Sequence, residues 1–298
     1  MQTIGFIGLG HMGNPMVKNL LKAGYKVKVY DLNSSAVQAL EKEGAIAVNS
    51  IKEIAEHSDI VFTMLQTGEQ VKQCTSGSQG LFSYLAKDAL YIDSSSVDVA
   101  ASKATHQAAR EKHLTMLDAP VSGGVGAAKA ATLTFMVGGE EEAFQRAKPI
   151  LSAVGKKIVH VGTAGNGAAA KICNNMILGI SMIAVSEAFV LADKLGLAAD
   201  KLFEVCSNAS GQCWSLSSYC PWPGILPNVP SSHDYTPGFT AKMMLKDLNL
   251  SQNAADFAKS ITPLGKQATE IYEQFVEEGH AEQDFSAIIN YIKALKNK

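Results

Sequence analysis

The run Gly8-Leu9-Gly10-His11-Met12-Gly13 limits what this chain can fold into more than any other feature. It follows an apolar segment at residues 4–8 and opens a helical pattern over residues 14–23. Glycines at this spacing suit a strand–turn–helix unit closed around a phosphate. One permits the tight turn, one lets the backbone approach a pyrophosphate, and one lets helix lie on strand. The helix N-terminus adds unpaired N–H groups and a partial positive charge. Gly-rich loops are common, so context decides. The next apolar run, residues 26–30, ends in Tyr30-Asp31. That puts a carboxylate about 20 residues beyond the loop, where a dinucleotide fold binds the adenosine ribose. Asp31 would repel a 2′-phosphate, and Leu32-Asn33-Ser34 bring no Arg or Lys to hold one. NAD, rather than NADP, is the expected cofactor.

Further strand-like runs occur at residues 60–65, 90–93, 115–118, 133–137 and 158–161, with helical patterns between the early ones, as at residues 35–43. Several are continuously apolar, as strands buried on both faces are. Such alternation predicts an α/β fold, with an N-terminal Rossmann-type, doubly wound, mostly parallel sheet. Strand signals stop after Val161. Residues 165–195 read as one long apolar helix ending at Gly196, a plausible C-cap. The rest reads as helical, broken by a Pro-rich loop at 221–237. The expected division is residues 1–163 for the dinucleotide domain and 164–298 for an all-α substrate and oligomerisation domain, entered through the long interdomain helix.

Composition narrows the partners. Lys and Arg number 26 against 28 Asp and Glu, a net charge of -2, and no basic run occurs. Neither nucleic acid nor an anionic membrane is an expected partner. The five cysteines, Cys74, Cys173, Cys206, Cys213 and Cys220, are odd in number and scattered, with no Cys-x-x-Cys pair. They read as reduced thiols of a cytoplasmic protein without a metal site. Met1-Gln2-Thr3 runs straight into the first apolar segment, leaving no room for a signal or transit peptide. The apolar stretch 176–185 lies between Asn175 and Glu187, a tighter bracket than the roughly 20 residues a membrane span needs, so a buried helix is expected.

Candidate chemistry gathers at four places. Lys171 stands among Ala168, Ala169, Ala170 and Ile172. A lysine in apolar surroundings is costly to keep charged and is expected to titrate nearer neutrality, as a general base needs. Asn175 lies one helical turn on, on the same face. Taken by itself, Lys171 reads equally as a snorkelling side chain at a helix edge. Ser122-Gly123-Gly124 follow a strand end and a Pro turn, where backbone N–H groups and a hydroxyl can converge on an anion or simply make a turn. Ser94-Ser95-Ser96 follow the strand ending at Asp93, at the carboxyl end where α/β sheets bind ligands, with Ser96 facing the cofactor. Trp214 and Tyr219 are pocket walls or core plugs.

Four blocks together are more specific. Phe6-Ile7-Gly8-Leu9-Gly10-His11-Met12-Gly13-Asn14-Pro15-Met16, Asp118-Ala119-Pro120-Val121-Ser122-Gly123-Gly124-Val125-Gly126, Gly167-Ala168-Ala169-Ala170-Lys171-Ile172-Cys173-Asn174-Asn175 and Lys246-Asp247-Leu248 resemble, in order, the motifs of the β-hydroxyacid dehydrogenases. The resemblance implies a hydroxyacid substrate and hydride transfer. It makes Lys171 the general acid/base, with Asn175 beside it, and Ser122, Gly123 and Gly124 the carboxylate cradle. It sets Lys246 at the cofactor–substrate junction and Asp247, Trp214 and Tyr219 on the substrate. Cofactor contacts are expected from Gly8 to Gly13, including Leu9, His11 and Met12, and from Asp31, Leu32, Asn33, Leu65, Gln66, Gln70 and Ser96. The family usually has Pro where this chain has Gln66, which puts the rigidity of that loop in question. Segments 210–215 and 219–229 resemble those of members that act on a small branched hydroxyacid. A sibling acting on tartronate or succinate semialdehyde, and a non-catalytic dinucleotide-binding scaffold, are the alternatives. Relatives are dimers or tetramers, and the apolar helix 176–191 suits a homo-oligomer.

Overall fold

In the computed structural model, which describes residues 2–295, nine strands of the first half form one sheet. They are β1 (Thr3–Ile7), β2 (Lys26–Tyr30), β3 (Ile46–Ala47), β4 (Ile60–Thr63), β5 (Leu90–Asp93), β6 (Thr115–Asp118), β7 (Val121–Ser122), β8 (Leu133–Gly139) and β9 (Gly155–Gly162). The order is β3-β2-β1-β4-β5-β6-β8-β7, with β9 alongside β8. Every pairing from β3 to β6 is parallel. The sheet then reverses: β8 runs antiparallel to β6 and β7, and β9 parallel to β8.

The continuous apolar runs have a simple cause. Alternate residues of one strand feed opposite faces, and both faces are covered. Ile4, Phe6, Ile60, Phe62, Leu90 and Ile92 enter one core, whereas Ile7, Val61, Tyr91 and Met116 enter the other. Strand order reverses at β1, with β2 on one side and β4 on the other. Gly8 follows β1 directly, so the glycine loop occupies the switch point where such sheets bind ligands. Two strands escaped the sequence pattern: β3 and β7 have two residues each, too few to show a period.

The division into two compact units falls between Lys171 and Ile172, within the helix Asn166–Lys194. The second unit is helical. Its main helices, Ala241–Ala258 and Pro263–Phe275, pack around Met182, Met244, Leu248, Tyr272, Phe275 and Phe285. Thr240 starts the first of these by accepting a hydrogen bond from the Met243 N–H. Gly179 has no side chain because a Cβ there would come 2.9 Å from Leu248.

The Asn166–Lys194 helix corrects one expectation. Its 29 residues include an 18-residue window of mean hydropathy 1.8, enough by length and composition to cross a membrane. Asn175 and Glu187 therefore do not bracket the apolar stretch too tightly for a span. Half of that window is buried within the protein, and the polar Asn175 and Ser186 are buried there too. A core helix has this character as readily as a membrane helix.

Candidate active site

The three glycines of the first loop meet three different surroundings. Gly8 has φ +95°, and a Cβ there would strike the Met64 carbonyl oxygen. A Cβ on Gly13 would strike the carbonyl oxygen of Gly8, so helix and strand touch only because both lack side chains. A Cβ on Gly10 meets nothing within 4 Å. That open space faces an exposed turn carrying His11. The helix Gly13–Lys22 has no acidic residue in its first turn and no side-chain cap from Met12. The Asn14 N–H donates to the Gly10 carbonyl oxygen and Pro15 has no N–H, so what this helix start offers a pyrophosphate is its partial positive charge, with no acidic residue in its own first turn.

Asp31 is wired into this loop. Its Oδ2 accepts from the Leu9 N–H at 2.6 Å and its Oδ1 from the Asn33 N–H at 2.7 Å. A carboxylate oxygen has capacity for more than one donor, so the ribose hydroxyls can still be accepted. Leu32 beside it is 93% exposed. The Asn33 side chain caps the helix Ser34–Glu41, taking hydrogen bonds from the N–H and the hydroxyl of Ser35. Its role visible here is to start that helix.

The Met64-Leu65-Gln66 segment lies against the glycine loop, the Leu65 side chain being 3.1 Å from a Cβ on Gly8. Where relatives carry Pro, the Gln66 N–H donates to Gln70 Oε1 at 3.0 Å. The Gln70 N–H is itself held by Thr67 Oγ1. A hydrogen bond thus restrains the loop where a ring would. Leu65 N–H donates to Ser95 Oγ at 2.9 Å. Of the three serines after β5, Ser95 is the one that ties this loop to the sheet, and Ser96 beside it is half-buried. The alternation of residues past the end of β5 was the available clue.

Beneath Ser95 lies a buried polar chain. Asp93 Oδ1 accepts from Thr63 Oγ1 at 2.8 Å and from the Ser95 N–H at 3.0 Å, and Thr63 Oγ1 is 2.6 Å from the Tyr91 hydroxyl. Burial pushes the Asp93 carboxyl up to about 6; bonds from Ser95 and Thr63 oppose the rise and the neighbouring Asp118 adds to it.

Ser122 ends β7, paired with Thr134 of β8. Gly123 has φ +131° and Gly124 φ +68°, backbone that other residues rarely adopt. A Cβ on Gly124 meets nothing within 4 Å, and the short helix Gly124–Lys129 begins without a side-chain cap. The segment that follows the Pro turn is thus a strand end with two successive positive-φ glycines, backbone compatible with either the anion cradle or the simple turn expected there.

Lys171 is half-buried on the long helix, and Asn175 follows one turn later. In the second unit, Asn175 Nδ2 donates to Asp247 Oδ2, and Asn175 Oδ1 accepts from Asn174 Nδ2 at 2.8 Å. Both Asn175 and Asp247 are buried. Asn175, expected to reach both substrate and Lys171, has its amide oriented by Asp247. Burial pushes the Lys246 ammonium below its usual range, with adjacent Asp247 opposing. Tyr219 is committed to the interior. Its hydroxyl donates to Asp284 Oδ2 at 2.9 Å, and its ring stacks on Phe285. Trp214 stacks on Tyr219 at 4.9 Å yet stays 48% exposed, so it is the aromatic that presents a surface. Among the described residues no group of three or more His, Cys, Asp or Glu is placed to hold a metal.

Comparison with known proteins gives the family. Residues 3–162 match the model of the NAD binding domain of 6-phosphogluconate dehydrogenase. Residues 165–292 match the model described as the NAD-binding domain of NADP-dependent 3-hydroxyisobutyrate dehydrogenase. The chain belongs to the β-hydroxyacid dehydrogenases. It is an NAD-dependent oxidoreductase of that family. It is 45% identical over 288 residues to the NAD-dependent L-serine dehydrogenase of Pseudomonas aeruginosa, covering 97% of each chain. To the mitochondrial 3-hydroxyisobutyrate dehydrogenase of Homo sapiens it is 42% identical over 290 residues, covering 97% of this chain and 86% of that one. The solved structure of Mycobacterium tuberculosis 3-hydroxyisobutyrate dehydrogenase with L-serine is similar with TM-score 0.93 and 44% identity, covering 99% of this chain and 100% of that one.

Proposed function

We propose that this β-hydroxyacid dehydrogenase oxidises 3-hydroxyisobutyrate to methylmalonate semialdehyde, a step of valine catabolism. The observation that carries the reading is the pairing of an open glycine loop, wired to Asp31, with a carboxylate-sized cradle at Ser122-Gly123-Gly124. Gly8 to Gly13 would hold the pyrophosphate of NAD, Asp31 the ribose, and Leu65 the wall beside them. Bound NAD supplies a hydride acceptor. The protein's part is proton transfer and orientation. Ser122 and the Gly123 and Gly124 N–H groups hold the substrate carboxylate. The uncharged amine of Lys171 accepts the proton of the primary hydroxyl. Asp31, with no cation in the following three residues, favours NAD over NADP.

L-Serine is a second reading, favoured by the P. aeruginosa relative and the M. tuberculosis structure. It shares the hydroxymethyl group and the carboxylate and differs in carrying an ammonium group where 3-hydroxyisobutyrate has methyl. We also propose a cytoplasmic homo-oligomer. Five free thiols support the setting, and Ile177 and Leu191, 65% and 58% exposed along one apolar helix, support the assembly.

The test is NAD reduction by the purified chain with 3-hydroxyisobutyrate, L-serine, glycerate and 4-hydroxybutyrate, each repeated with NADP. Turnover of 3-hydroxyisobutyrate with the highest kcat/KM supports the proposal; preference for another acid replaces the substrate. Lys171→Ala is expected to lower kcat by on the order of a thousandfold while NAD still binds. Turnover close to wild type would remove Lys171 from the base role.

A further inference from the structure

We propose that Asp118, backed by His106, is a positioning residue that sets where Lys171 stands relative to the sheet. The inference rests on the reading of Lys171 as the base. Asp118 ends β6, four residues before Ser122, and is almost wholly buried. Three donors converge on its carboxylate. Oδ1 accepts from His106 Nε2 at 2.8 Å and from the Gly165 N–H at 2.9 Å. Oδ2 accepts from the Ala168 N–H at 2.9 Å. Gly165 and Ala168 are the entry and first turn of the helix that carries Lys171 three residues further on. A carboxylate on those amides is matched both to their hydrogen bonds and to the positive end of the helix.

Packing around the carboxylate leaves no slack. A Cβ on Gly138 would come 2.6 Å from Asp118 Oδ1 and 2.7 Å from the Gly167 nitrogen. A Cβ on Gly167 would come 2.5 Å from the Met136 carbonyl oxygen and 2.8 Å from Asp118 Oδ2. The helix therefore begins in backbone contact with β6 and β8, and Asp118 fixes its rotation there. His106, itself buried on the helix Val99–Glu111, fills the remaining side of Oδ1. One residue thus sets both the strand end leading to the carboxylate cradle and the first turn of the helix bearing the base. A displacement of about 1 Å at a reacting group can cost on the order of a hundredfold in rate, so this joint bears on turnover more than on cofactor binding.

The experiment compares Asp118→Asn, His106→Leu, His106→Gln and Lys171→Ala in the full chain. NAD titration by protein fluorescence counts folded sites, and kcat and KM are then expressed per site. In Asp118→Asn the carboxamide turns a donor toward an amide, and the expected result is a kcat lowered about 10- to 100-fold, with NAD affinity and KM for NAD within about twofold. His106→Leu loses part of the rate. His106→Gln restores most of it, because the glutamine amide offers a donor where Nε2 stood. A kcat per NAD-binding site within about twofold of wild type in Asp118→Asn overturns the proposal. If that variant does not fold, the His106 pair decides, and His106→Leu and His106→Gln of equal activity overturn it. Loss in Asp118→Asn with full turnover in Lys171→Ala strikes the base assignment instead, and the proposal falls with it. Loss in Lys171→Ala with full turnover in Asp118→Asn leaves the base in place and removes only the positioning role.

Discussion

Asp93 offers a stability test that needs no substrate. Its carboxyl is fully buried, and burial raises it from 3.8 to about 6 against the bonds that favour ionisation. A carboxylate that is harder to ionise in the folded than in the unfolded chain stabilises the fold fully only below the unfolded value. That contribution is then lost as pH rises through about 6. The rise from 3.8 to about 6 corresponds to ~3 kcal/mol. Asp93→Asn removes the titration and keeps most of the geometry. Thr63 Oγ1 and the Ser95 N–H both donate to Oδ1, so an asparagine carbonyl can keep both while its amide takes the place of Oδ2.

Urea unfolding of wild type and Asp93→Asn at intervals between pH 4 and pH 8 reads the difference directly, because the other titrating groups are common to both. The stability of wild type relative to the variant is expected to fall by ~2–3 kcal/mol between about pH 4 and pH 7, most steeply near pH 5, midway between the unfolded and folded values. A fixed offset across the range would show that Asp93 ionises alike folded and unfolded, and the reasoning from burial would fail. A difference that grows in wild type's favour as pH rises would reverse its sign.

Gly10→Ala should fold normally and bind NAD at least about tenfold more weakly, because its Cβ fills only the space left for the pyrophosphate. Gly13→Ala should lose ~3 kcal/mol or more in urea melts, since its Cβ runs into the Gly8 carbonyl oxygen; equal effects of the two on folding would refute the separate roles. Gln70→Leu leaves the Gln66 N–H without its acceptor and should weaken NAD binding severalfold, measurable by calorimetry, with kcat at saturation little changed. Asp247→Leu strands the buried Asn175 amide beside an already disfavoured Lys246 ammonium, and thermal melts should show a cost of about 1–3 kcal/mol together with a fall in kcat.

Much of the fold was legible because it is built from repeated, two-faced elements. Ile4, Phe6, Ile60 and Phe62 advertise doubly covered strands, and Gly8 and Gly13 sit where a Cβ would strike the backbone. The two-residue strands β3 and β7 carry no period to read, and the antiparallel course of β8 follows from a bend that residue types alone do not specify. The candidate site divides the same way. Residues whose side chains are unusual for their setting, such as Lys171 in an alanine-rich helix, announce themselves. Residues that act by holding other residues do not. Ser95 looks like either of its serine neighbours until β5 ends and points it at the Leu65 amide. Asp118 and His106 lie twelve residues apart and meet only once a helix folds back over its strand. The rigidity that Gln66 puts in question is restored four residues on by Gln70, a restraint visible only as a completed hydrogen bond.

The choice between the two candidate acids follows the same separation of roles. 3-Hydroxyisobutyrate and L-serine present the same hydroxymethyl group and carboxylate, so the roles proposed for Lys171 and Ser122-Gly123-Gly124 do not tell them apart. Discrimination belongs to whatever faces the methyl or ammonium substituent, and the two kinds of wall leave different kinetic traces. An apolar wall gains only about 1–3 kcal/mol from a methyl group, which is about 10- to 200-fold in kcat/KM. A wall built to accept hydrogen bonds from an ammonium group would reject the methyl analogue by about 10⁴-fold or more, since its buried acceptors would be left unpaired. The ratio of kcat/KM for the two acids therefore reports the chemistry of the wall itself. A modest preference for 3-hydroxyisobutyrate marks an apolar wall at that substituent. A preference for L-serine of several orders of magnitude moves selection to a polar group and the substrate with it.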